Sequence, residues 1–123
     1  MSILNALMGN ANTVDAGSVA GELADYLVPG ERVEHAYKLV RDMIVFTDKR
    51  LLLVDKQGVT GRKTEFHSLP YAKISHFSVE TAGSLDLESE LKVFVSGGAV
   101  FQRTFGRGVN IADVQRVLAS YVL

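Results

Sequence analysis

A chain of 123 residues without cysteine has no thiol to act as nucleophile or soft metal ligand, so any chemistry must come from carboxylates, histidines, hydroxyls and cations. The densest such set is Asp86, Glu88 and Glu90, lying among Leu85, Leu87 and Leu91. Successive side chains of an extended strand point to opposite faces, so the three carboxylates would project together. Like charges at this spacing raise one another's pKa unless cations intervene. A calcium loop uses such oxygens but also carries Gly and Asn among its acids, and those are missing from this run. Arg62, Lys63 and Arg103 are the cations available to pair with the row, within one chain or across a boundary between copies, and plain solvation is the alternative.

His35, His67 and His76 fall on three different predicted strands with no metal-ligand spacing, so ordinary sheet histidines are the favoured reading. Gly97-Gly98 and Gly106-Arg107-Gly108 invite comparison with phosphate cradles, and the second precedes a predicted helix whose free amides would attract an anion. Their spacing matches neither the dinucleotide-binding nor the Walker pattern, and tight turns explain them better. Ser68, Ser75 and Ser78 carry no nucleophile-elbow motif. With no nucleophile, base and stabiliser in one constellation, the expectation is a protein that is not an enzyme and needs no metal or cofactor.

Composition narrows the partners. Thirteen Lys and Arg against fourteen Asp and Glu give a net charge of -1, so no global field draws nucleic acid or an anionic membrane. A local patch is still open: Lys49, Arg50, Arg62 and Lys63, on neighbouring predicted turns, are candidate contacts to anionic lipid. Met1 to Met8 lacks the basic start and long apolar core of a secretory leader, and Ser2 excludes an N-myristoyl glycine, so mature sequence is expected from the start. The Ile3, Leu4, Leu7 and Met8 stripe has no Lys or Arg to meet headgroups, so packing on protein is favoured over lying on a membrane. The longest apolar run, Leu51 to Val54, is strand-sized and far short of a bilayer span. The absence of cysteine fits a reducing cytoplasm, where the chain is expected to reside.

The elements that must position these residues change period twice. From Ile3 to Val28, apolar residues recur at helical spacing, with a break at Gly9 to Asn12 and with Asp15 or Ser18 as cap of a second helix. Pro29-Gly30 ends helical structure and sets the boundary between an N-terminal extension, 1–28, and a main domain, 29–123. Seven strand-like runs follow: Arg32 to Val40, Met43 to Thr47, Arg50 to Lys56, Lys63 to Leu69, Ile74 to Thr81, Leu91 to Ser96, and Ala99 to Phe105. Short turns join them, including Gly97-Gly98 as a two-residue hairpin, so sequential antiparallel pairing is expected. In the first run Val33, His35, Tyr37 and Leu39 would share one face. The third, Leu51-Leu52-Leu53-Val54, is apolar on both faces and needs a cover on its outer side, either the N-terminal helices or another subunit. Helical period returns with Asn110 as N-cap, Asp113 in the first turn, and Ile111, Val114, Val117, Leu118, Tyr121 and Val122 on one apolar face.

This order, a seven-strand meander and a closing helix, is that of the pleckstrin-homology superfold, and the residues are specific. The run Lys38 to Gly58, with Thr60-Gly61-Arg62-Lys63, Ser68-Leu69-Pro70-Tyr71, Ile74, Phe77 to Gly83 and Asp86 to Lys92, closely resembles the bacterial pleckstrin-homology family. The resemblance covers about Glu31 to the C-terminus and implies a mainly β, seven-stranded antiparallel, partly open barrel capped by a C-terminal helix, a tendency to form ring-like homo-oligomers, and no known enzymatic activity. Phosphoinositide binding is not carried over, because only Arg41-Asp42 joins the first two strands, too little loop to encircle a headgroup.

The expected function is therefore a self-assembling, non-enzymatic binding or scaffold module with a peptide or protein partner, the lipid-binding peripheral module being the alternative. The predicted contact between copies comprises Leu52, Val54 and Leu91, which a lone barrel would leave partly uncovered, together with Asp86, Leu87 and Glu88.

Overall fold

The computed structural model describes residues 14–39, 42–57, 63–83, 88–106 and 108–123. A short helix α1 (Ala16–Glu22) begins where the Asp15 carboxylate accepts the Ser18 amide at 3.0 Å, so Asp15 is the cap. A 3-10 turn, Ala24–Tyr26, follows, and Gly30 takes the left-handed φ of 85° that lets the chain turn into the first sheet. That sheet holds β1 (Val33–Lys38), β2 (Met43–Thr47), β3 (Arg50–Gln57) and β4 (Lys63–Pro70) in sequence order. The second holds β5 (Ile74–Glu80), β6 (Ser89–Val95) and β7 (Val100–Phe105), again antiparallel, and α2 (Ile111–Val122) ends the chain.

Two sheets, not a closed barrel, are therefore formed. The strands divide at Pro70, which has no amide hydrogen to extend a ladder, and at the 3-10 turn Tyr71–Lys73, which redirects the chain before β5. Between the sheets lies the main core, with Ile44, Phe46, Leu51 and Leu53 from the first, Leu91, Val93 and Phe105 from the second, and Val114 and Leu118 of α2 closing it. Asn110 caps α2 as the sequence predicts, its side-chain oxygen accepting the Ala112 amide at 3.0 Å. At the other end of α2 the Tyr121 ring stacks on Tyr71 at 4.4 Å, and its hydroxyl donates to Glu34 on β1.

A second, smaller core lies on the outer face of the first sheet. Val19 and Leu23 bury Ala36, Val45, Leu52 and Val54 there, so the doubly apolar β3 is covered by the chain's own N-terminal segment. Ahead of α1, the Val14 amide donates to the Ala36 carbonyl at 3.1 Å, which holds the segment against the outer edge of β1.

The predicted face of β1 is corrected by a β-bulge between Val33 and His35. One extra residue reverses the parity of what precedes His35, so Tyr37 and Leu39 reach the main core while Val33 packs against the cluster of Val19 and Leu23; His35 stays in register with Phe46 and is exposed. The β6–β7 turn also differs. The Val95 amide bonds to the Ala99 carbonyl across a three-residue loop, Ser96-Gly97-Gly98, whose glycines both have φ near 90° (94° and 90°).

Candidate functional site

Of the residues expected to join copies, Leu52 and Val54 are 1% and 2% exposed beneath α1, and Leu91 is 2% exposed between the sheets. The exposed apolar surface that motivated those three is filled within a single chain. Asp86 and Leu87 lie outside the described residues, and Glu88 is exposed just ahead of β6. Glu90 lies opposite Thr104 on β7, accepts from the Gln102 amide and stands 3.8 Å from the Lys92 ammonium, so its nearest cation comes from its own strand. Arg103, expected to serve the acidic row, instead meets Asp55 of the facing sheet at 3.2 Å.

Among the described residues, Lys49, Arg50 and Lys63 do not form one patch. Successive turns of an antiparallel meander lie at opposite ends of the sheet, and β3 pairs Arg50 with Pro70 at one end and Gln57 with Lys63 at the other. The exposed Lys49 and Lys63 are thus separated by the length of β3, about 25 Å at the rise of an antiparallel strand. Arg50 is engaged within the fold. Its Nε and Nη2 donate to the Glu31 carboxylate at 2.9 Å, Nη1 donates to Ser68 Oγ at 2.7 Å, and Nη2 also reaches the Tyr26 carbonyl at 2.7 Å. Arg62 lies outside the described residues.

Sequence reading missed the Glu31–Arg50 pair. Its members are 19 positions apart, and neither belongs to a periodic pattern that would tie them together. The Glu31 side chain is fully buried, and it also accepts from Thr47 Oγ1 at 2.6 Å and from the Val28 amide at 3.0 Å. Burial alone would raise its pKa. The hydrogen bonds from Arg50, Thr47 and Val28 outweigh that and hold it below the ordinary carboxylate value. Burial also pushes the Tyr71 and Tyr121 hydroxyls up, helped for Tyr71 by its coupling to Tyr121 and for Tyr121 by its bond to Glu34.

Among the described residues, two clefts are open to solvent. One, of about 470 Å³, lies beside β3 and β7, with Asp42, Asp55, Lys56 and Arg103 in its wall. The two acids and two bases nearly cancel, the Asp55–Arg103 bridge ties the two sheets together, and Arg103 Nη1 is taken by the Gln102 carbonyl at 2.8 Å. The other cleft lies between the end of β4 and the β6–β7 hairpin. His67 lines it, its ring centre 4.6 Å from that of Phe101, whereas His76 stacks on Phe94 at 4.3 Å. Among the described residues, no three His, Asp or Glu side chains converge as metal ligands. No described helix is long and apolar enough to cross a membrane. Gly106 serves a turn, its carbonyl accepting the Val109 amide at 3.2 Å.

Comparison with known proteins follows the same lines. The description of the bacterial PH domain matches residues 2–122. The chain is 56% identical over 122 residues to the uncharacterized protein YjqA of Bacillus subtilis (strain 168), covering 98% of each chain. It is 32% identical over 110 residues to the uncharacterized protein YozO of the same organism, covering 89% of this chain and 95% of that one. Among solved structures, a pleckstrin homology domain from Shewanella amazonensis SB2B superposes with a TM-score of 0.82 at 49% identity, with 98% of both chains covered. A protein with a pleckstrin-homology domain from Shewanella loihica PV-4 gives 0.81 at 42% identity, covering 90% of this chain and 96% of that one.

Proposed function

This chain belongs to the bacterial PH domain family, and on that footing we propose that it is a non-enzymatic binding and scaffold module that assembles into a homo-oligomer. The observation that carries the first half is where the polar side chains are used. Glu31, Arg50, Thr47, Asp55, Arg103, Glu34 and Tyr121 bond to one another to hold segment to sheet, sheet to sheet and helix to sheet, while the open clefts are walled by strands and the turns beside them. A surface that binds without turning over a substrate is what such an arrangement offers.

Assembly is supported by a free strand edge. β7 ends the second sheet and presents an edge that bonds to no further strand among the described residues. Tyr26, Val28 and Val100 add apolar surface, being 51%, 50% and 48% exposed. Light scattering coupled to size exclusion should report a mass several times 13.4 kDa, and Glu88→Lys should lower it if the stretch ahead of β6 lies in the contact. A mass of 13.4 kDa at micromolar concentration would refute the assembly.

A further inference from the structure

We propose that the cleft between the end of β4 and the β6–β7 hairpin docks an extended acidic peptide segment with apolar side chains. This deepens the reading of the domain as a binding module and does not depend on self-assembly. The cleft has a volume of about 490 Å³, room for a few residues rather than a folded domain. Leu69 and Ile74 form buried parts of its wall, while Val95 and Phe101, packed against the edge of the main core, are left half-buried and open to an incoming side chain.

Charge selects the partner. Among the described residues, Lys73 and His67 line the cleft and no carboxylate does, so its lining is basic although the whole chain carries -1. Lys73 is exposed and forms no ion pair among the described residues, so its ammonium can meet an incoming acid. The backbone selects a peptide over a fatty acid. Residues of β4 and β5 border the cleft, and each of these strands stands at one edge of its sheet. An extended chain satisfies its amides along such an edge while alternate side chains enter apolar pockets, which a hydrocarbon tail cannot do.

The test uses the full chain and fluorescein-labelled octapeptides, one alternating Val and Glu and one alternating Val and Lys, with fluorescence anisotropy as readout. The acidic peptide should give a saturable rise and the basic peptide none. Lys73→Glu, which changes an exposed side chain, should weaken the acidic peptide about tenfold or more and confer binding of the basic one, a gain that a damaged fold could not produce. Equal binding of both peptides, binding indifferent to Lys73→Glu, or no saturable signal overturns the proposal. Displacement of a weakly held acidic peptide by decanoate alone, without the charge-swap gain, also overturns it and assigns the cleft to a fatty acid. Because the oligomer mass is measured separately, loss of the peptide site and loss of assembly are distinguishable results.

Discussion

Glu31 shows how one buried carboxylate secures a segment. Its side chain has no exposure, and its partners come from the N-terminal segment (Val28), from β2 (Thr47) and from β3 (Arg50). Replacing Arg50 with Ala would leave a buried charge unmatched, and a loss of about 3 kcal/mol in urea unfolding is expected. The same site makes a pH prediction. Because the folded-state pKa of Glu31 is lowered from 4.5, the unfolded chain takes up the proton first as pH falls. The stabilisation is present above about 4.5 and is lost as pH drops from there through the folded value. Urea midpoints measured from pH 7 down to pH 3 should fall, and Glu31→Gln should remove this part of the dependence; an unchanged profile would show that Glu31 is not the titrating group. Gly97, at φ 94°, is a milder case: Gly97→Ala should cost about 1 kcal/mol through backbone strain, with nothing within 4 Å for the methyl to strike.

At the scale of elements, the two helices do different work. α2 closes the space between the sheets, and Leu118, which has no exposure, is a central part of that closure. Leu118→Ala should destabilise by about 2 to 5 kcal/mol, and a urea midpoint close to that of the native chain would count against it. Among the described residues, α1 and the turn after it cover the outer face of the first sheet with Val19 and Leu23 buried and Val14 and Leu27 partly buried from their side. So small a contact should open locally before the whole domain does. Hydrogen exchange should therefore find the α1 amides less protected than those of β2 and β3, and Val19→Asp should speed α1 exchange much more than exchange between the sheets; equal protection throughout would contradict this.

At the scale of the whole molecule, the meander decides where charge can gather. Turns that are neighbours in sequence are far apart in space, so Lys49 and Lys63 cannot grip one anionic headgroup, and Arg50 is held by Glu31. Calorimetry with phosphoinositide headgroups should show no saturable heat. Anionic vesicles at low salt should sediment no more of the protein than neutral ones do, and salt-sensitive co-sedimentation would reverse that expectation.

What the sequence by itself determined is local. Helix α2 and its Asn110 cap, the seven strands within a few residues, and the burial of both faces of Leu51 to Val54 follow from periodicity and turn chemistry, which act over neighbouring residues. The spaced motifs from Lys38 to Lys92 pointed to the family for the same reason. Tertiary structure alone decided what meets what. That Val19 and Leu23 cover Leu52 and Val54, that a bulge turns Val33 away from Tyr37, and that Arg50 reaches Glu31 depend on contacts between distant parts of the chain. The same holds for the cleft, whose wall combines His67 of β4 with Phe101 of β7. Periodicity specifies which face of a strand is apolar, but the partner of that face is set by how the sheets and helices pack, and no single stretch of sequence contains that information.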